Sequence, residues 1–193
     1  MSVRIQRGAE PQQYFITFTC CDWIPLFEIT KSYDAIYKWF DWMHNHLVAV
    51  NAYCIMPNHV HLLLTTFNEQ QSINKIIGNG KRFLAYEIVR RLKANHPQML
   101  QKLADARSAT EIKSRKLHKV FESSFDCKAI TTRKFEEQKM NYIHMNPLRR
   151  NPPLAMLPED YPYSSAAFYI TGDVSNFHGI VSMEDWMIKQ QSK

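Results

Sequence analysis

Several things are missing from this 193-residue sequence. No apolar run approaches the roughly 18 residues that a membrane span requires. The opening residues, MSVRIQRGAEPQQ, carry no apolar stretch of the secretory kind. Both absences point to a soluble cytoplasmic protein with no membrane partner. Cysteine is scarce, and the spacing of Cys20, Cys21, Cys54 and Cys127 fits no zinc-binding pattern. Four free thiols in a reducing compartment are expected. There is no internal repeat and no low-complexity run, which sets aside solenoids and linker-like chains.

What is present suits a packed core and an acidic partner. The chain is 45% hydrophobic and 12% aromatic, with a net charge of +6 and a pI of about 9.1. A basic surface attracts polyanions, nucleic acid first among them.

Periodicity divides the chain. Gln13–Cys21 (QYFITFTCC) is rich in aromatic and β-branched residues and predicts a strand. Residues 22–28 predict a loop. From Thr30, the recurrence of Tyr33, Ile36, Tyr37, Phe40, Met43 and Leu47 predicts an amphipathic helix. Ala52–Met56 and Val60–Thr66 predict two antiparallel strands joined at Pro57-Asn58. Ser72–Lys93 predicts a second helix, with Gly78 and Gly80 marking a kink or a close contact. Residues 95–119 predict an inserted helical segment in which Lys113, Arg115, Lys116 and Lys119 cluster. Residues 120–130 predict a strand, Thr132 caps a further helix, and Pro147 ends it. The remainder, 151–193, predicts an extended tail. The order β-α-β-β-α-(insert)-β-α gives an α+β fold: one ferredoxin-like domain over 1–193, with an antiparallel sheet, helices on one face and a core of about 12–150.

Within MPNHVHLLL, His59 and His61 are two residues apart on a predicted strand. Side chains at i and i+2 share a face, about 7 Å apart along the strand, so both imidazoles can converge on one ion. Val60 points the other way, into the core. His44 and His46 have the same spacing but fall on a predicted helix, where rings two residues apart diverge by about 200°. Two histidines are an incomplete site, and an oxygen-rich remainder suits Mg²⁺ or Mn²⁺.

Within MNYIHMNP, Tyr142 and Asn146 lie one helical turn apart on one face. Asn146 offers a carbonyl oxygen as a third metal ligand and brings Tyr142 beside the metal. His144 points away from that face. A phenol, with a pKa of about 10, needs a base or a nearby cation to act as a nucleophile, and a metal that withdraws charge from phosphorus lowers the barrier further. Tyr86, with Arg90 four residues on, is the rival nucleophile.

These motifs carry a resemblance. MPNHVHLLL, then YIHMNP, then YPYSSAAFY resemble, in that order, the REP-associated tyrosine transposases of the HUH single-strand transposase superfamily, over about Tyr14 to Tyr169. The resemblance implies a ferredoxin-like palm, with His59, His61 and Asn146 holding Mg²⁺ or Mn²⁺ and Tyr142 attacking a DNA phosphate to leave a 5′-phosphotyrosine and a free 3′-hydroxyl. It implies single-stranded DNA beside a REP-like hairpin as the partner, and it admits a homodimer as well as a monomer. The chain departs from compact members in the longer stretch at 95–119 and in Arg150-Asn151-Pro152 where many have a glycine.

Lys81, Arg82, Arg149 and Arg150 are the leading candidates for phosphate contacts, with Arg90, Arg91, Arg133 and Lys134 behind them. Trp23, Tyr161, Tyr163 and Tyr169 either stack on unpaired bases or pin the tail to the domain. Two other readings stay open: a DNA-binding protein or repressor of this fold without strand transfer, and a metal hydrolase that uses water. The second lacks a carboxylate base beside the histidines, since Asn58 precedes them.

Overall fold

A period of two in the strands sets the layers of the fold. The structure, a computed structural model, describes residues 12–67, 72–173 and 179–182. Strand β1 (Gln12–Thr19) sends Tyr14, Ile16 and Phe18 to one face of the sheet and Phe15 to the other. A 3-10 turn (Cys21–Trp23) and helix α1 (Leu26–Ile29) stand where a loop was expected. They are followed by α2 (Tyr33–His44), β2 (Val48–Ile55), β3 (His59–Thr66) and α3 (Ile73–Asn95). Then come α4 (Pro97–Asp105), α5 (Ala109–Lys113), β4 (Asp126–Ile130), α6 (Arg133–Met145), a 3-10 turn (Asn146–Arg149) and α7 (Ala166–Thr171). No helix among the described residues is long and apolar enough to cross a membrane.

The sheet runs β2-β3-β1-β4, with every neighbouring pair antiparallel. This is the ferredoxin-like order read from the element sequence. On β3, Val60, Leu62 and Leu64 join the larger core, together with Ile36, Trp39 and Phe40 of α2 and Ile76, Leu84 and Ile88 of α3. Leu63 faces the other way and meets Phe15, Ala52, Cys54 and Ile143 of α6. The expectation of helices on one face therefore holds for α2 and α3 and is corrected for α6, which packs on the opposite face. Its apolar side was too short to assign from periodicity alone.

The caps and contacts follow from sequence. Ser72 caps α3 by accepting from the Lys75 N–H, and Thr132 caps α6 by accepting from the Phe135 N–H. Of the two glycines in α3, Gly78 has open space around it, whereas a β-carbon at Gly80 would overlap the Trp39 indole. At Gly80 the Trp39 indole of α2 packs directly against the backbone of α3. The Arg91 guanidinium donates to Asp34 and to the Lys31 carbonyl, tying the two helices at their ends. The inserted segment is helical as expected. Leu103 anchors it in the core, and a Ser108–Glu111 capping box opens α5.

Two boundaries differ from expectation. Helix α2 stops at His44, and Leu47 has φ 59° and lies exposed. Strand β2 begins at Val48, ahead of the expected Ala52, and a bulge between Val50 and Ala52 shifts the phase of its alternation, so that Val48 and Val50 before it and Tyr53 and Ile55 after it face the same core. His46 therefore lies beyond the helix. Its ring stacks on Trp42 at 4.1 Å and its Nδ1 meets the Trp42 carbonyl at 2.7 Å, which, rather than helical divergence, fixes where it points.

The tail is described to residue 173 and again at 179–182, and the rest of the expected 151–193 stretch lies outside the described residues. It runs along the β2 edge. The Ile55 N–H donates to Tyr163 O, the Ser165 N–H to Tyr53 O, and the hydroxyls of Tyr161 and Tyr169 donate to Ile55 O and Asn51 O.

The Gly80 contact yields a paired prediction. Gly80→Ala forces Trp39 or the helix to move and lowers stability by about 1–3 kcal/mol. Gly78→Ala, with open space and a better helix former, raises stability by about 0.5–1 kcal/mol. Urea unfolding of both variants measures this, and equal effects at the two positions would refute it.

Candidate active site

Because Val60 and Leu62 are drawn into the larger core, His59 and His61 project from the opposite face, the one that α6 covers. Their Nε2 atoms lie 3.0 Å apart. Each Nδ1 has its own partner: Asn58 Oδ1 for His59 at 2.7 Å and Thr17 Oγ1 for His61 at 2.7 Å. Thr17 stands directly opposite His61 in the β1–β3 register.

The Asn58 amide fixes the His59 tautomer. Its Nδ2 donates to the Trp23 carbonyl at 3.0 Å, so its Oδ1 is the atom facing His59. An amide oxygen only accepts, so the His59 proton sits on Nδ1 and Nε2 carries the lone pair, turned towards His61. The Thr17 hydroxyl can donate or accept, so it supports either tautomer of His61. These are the outer partners that orient imidazole ligands in metal sites.

Helix α6 brings the remaining groups. The Tyr142 ring lies 5.2 Å from the His61 ring and 5.9 Å from that of Phe15, edge-on to both. Asn146, the residue that ends α6, stands beside His59, where its side chain favours the protonated ring. The four residues singled out in the sequence thus converge. His144, expected to point away, does so: it is buried, with Nε2 2.9 Å from Ser165 Oγ. Tyr86 is 72% exposed on α3, the helix on the other face of the sheet, and so is removed from the histidines.

Burial lowers the His59 pKa to about 4, with the Arg150 charge adding to the effect and the Asn146 side chain opposing it. It lowers that of His61 to about 3, assisted by the charges of His59 and Lys139. Both rings are neutral at physiological pH, the form that binds a metal. Cis ligands of an octahedral ion at about 2.1 Å lie about 3.0 Å apart, which the Nε2 pair already satisfies. With the amide oxygen of Asn146, the set suits a divalent ion that keeps other positions for water or phosphate. A different cluster, Cys21, Asp22 and Glu122, also places ligand atoms within 4.8 Å of one another. There Glu122 is engaged by Lys119 at 2.8 Å, and burial pushes the Cys21 thiol up to about 11.

Of the expected phosphate contacts, Arg149 and Arg150 are at the site. The Arg149 guanidinium lies 5.4 Å from the Tyr142 ring centre, and Arg150 acts on His59 by its charge. Lys81 and Arg82 are engaged elsewhere. The Lys81 ammonium donates to the Glu122 and Ser124 carbonyls, and burial pushes its pKa down to about 8. Arg82 donates to Asn79. Arg90, Arg91 and Arg133 pair with Glu87, Asp34 and Glu137. The sequence reading missed Lys139, whose Nζ lies 4.6 Å from the Phe15 ring centre and 5.6 Å from that of Tyr142. Its place three residues before Tyr142, on the same helical face, was the available signal.

Comparisons with known proteins give the chain a family and its fold a relative. The profile of the family described as "Transposase IS200 like" matches residues 28–146. A structure of a REP-associated tyrosine transposase bound to a REP hairpin aligns with a TM-score of 0.54 at 14% identity, covering 94% of this chain and 99% of that one. A crystal structure of a transposase-like protein from Deinococcus radiodurans R1 aligns with a TM-score of 0.36 at 14% identity, over 74% of this chain and 95% of that one. No curated protein sequence matches the chain.

The buried histidines impose a pH dependence. Burial lowers His59 and His144 from an ordinary 6.5 to about 4 and His61 to about 3. Below pH 6.5 the unfolded chain takes up protons that the native chain refuses, so stability is full above that pH and falls on acidification towards 4. The melting temperature without divalent metal should therefore be level from pH 8 to 7 and drop from 6.5 to 5. His144→Gln should flatten that drop by up to about a third. A flat profile in the unaltered protein would contradict the burial argument.

Proposed function

The chain belongs to the IS200-like transposase family, and on that premise we propose that it cuts and rejoins single-stranded DNA through Tyr142, with Mg²⁺ or Mn²⁺ held by His59, His61 and Asn146. The observation that carries this reading is the meeting of two elements distant in sequence: the Tyr142 ring lies 5.2 Å from that of His61, and Asn146, one turn on, stands beside His59.

In this reading the Tyr142 oxygen attacks a backbone phosphorus. A P–O bond to tyrosine forms, the P–O3′ bond breaks, and O3′ leaves and takes up a proton. The product is a 5′-phosphotyrosine and a free 3′-hydroxyl, and attack by a 3′-hydroxyl on that linkage reverses the step and rejoins the strand. A bound divalent ion draws charge from the phosphate oxygens. The residues of the chain do the rest. Arg149 and Arg150 hold flanking phosphates, and the positive charges of Arg149 and Lys139 lie beside the phenol. The hairpin partner is suggested by the DNA bound in the related solved structure. A cytoplasmic location fits the same activity.

The test uses a pool of labelled hairpin oligonucleotides with randomised unpaired flanks, incubated with the protein and Mn²⁺ and run on a denaturing gel. A covalent adduct is expected, lost in Tyr142→Phe and retained in Tyr86→Phe. Asn58→Ala should lower adduct formation by about 10–100-fold, the usual cost of removing an outer partner of a ligand. DNA binding with no adduct would favour a repressor, and cleavage that survives Tyr142→Phe would refute the tyrosine mechanism.

A further inference from the structure

Four aromatic residues were candidates for stacking on bases, and the structure separates them. Tyr161 is buried with its hydroxyl on Ile55 O, Tyr163 stacks on Tyr33 at 3.6 Å, and the Tyr169 hydroxyl donates to Asn51 O. These three pin the tail. Trp23 is 61% exposed, and its ring stands 5.4 Å from that of His59.

The exposed indole is presented by a fixed backbone. Asp22 and Trp23 have φ 51° and 57°, a left-handed pair without glycine that persists only where its surroundings hold it. Here the Trp23 N–H donates to Cys20 O, the Asp22 N–H donates to Glu122 Oε1, and the Trp23 carbonyl accepts from Asn58 Nδ2. The Asn58 amide that orients His59 also fastens the tryptophan. A large aromatic face left in water, rigidly placed beside two histidines and near the Arg150 charge, has the form of the platforms on which single-stranded nucleic acid stacks its bases.

We infer that Trp23 is the stacking platform for one unpaired nucleobase adjoining the phosphate held at His59 and His61, and so positions the strand for the reaction proposed above, on which this inference rests. An indole reads no base edge, so the contact tolerates any base while fixing the register of the strand.

The experiment measures equilibrium binding of the full chain to the tightest-binding member of the hairpin pool, with each nucleotide of its unpaired flank replaced in turn by an abasic site. One abasic position should weaken binding by about 5–150-fold, Trp23→Ala should weaken binding of the intact strand to a similar degree, and the two should not add. Trp23→Phe should restore most of the affinity. If Trp23→Ala binds as tightly as the unaltered protein, or if every abasic penalty persists in it undiminished, the inference is overturned even where the adduct forms. If the non-additive pair is seen but no adduct ever forms, the platform stands and the strand-transfer reading fails. If no single-stranded DNA binds, both fail.

Discussion

The pairing of β1 with β3 is the constraint on which the rest depends. Its register sets Thr17 opposite His61 and Thr19 opposite His59, and the alternation along β3 commits Val60, Leu62 and Leu64 to one core. A slip of one residue would turn both histidines into that core and the leucines out of it. The apolar side chains between the histidines thus do as much for the site as the imidazoles. They fix which face the rings take, and that face is the one α6 covers.

Around this pair the electrostatics divide into two zones. His61 is buried and His59 half-buried, and both are neutral, while Lys139, Arg149 and Arg150 surround them with charge at the rim. Burial and neighbouring positive charge act in the same direction on imidazole, so the cations suited to holding a polyanion also keep the ligand atoms unprotonated. The outer partners differ in kind. Asn58 admits one tautomer of His59, whereas Thr17 accommodates either tautomer of His61.

Much of this was legible in the sequence because it rests on local periodicity. The spacing of His59 and His61 on a strand, the turn between Tyr142 and Asn146, the Ser72 and Thr132 caps and the ferredoxin-like order of elements are short-range patterns. What stayed hidden depends on tertiary contact. Nothing near Gly80 in sequence announces the Trp39 indole that excludes a β-carbon there. The face taken by α6 depends on Ile143 meeting Phe15 and Leu63, residues far away in the chain. Asn58 read as a missing acid until its amide was seen bridging Trp23 and His59. The four stacking candidates were equivalent as letters, and only their tertiary contacts and exposure distinguish them.

The tail that lies along β2 has a consequence for how molecules of this chain meet. An outer strand offers unpaired amides and carbonyls to any other strand, a hazard that proteins manage by covering it. Tyr163, Ser164 and Ser165 occupy that side of β2, and the Ser165 hydroxyl also meets His144 of α6. The sheet is therefore closed on one flank. β4, the outer strand on the other flank, is only five residues long and carries Lys128. Growth of the sheet by edge-to-edge addition is thus blocked at the β2 flank and disfavoured, by shortness and charge, at β4.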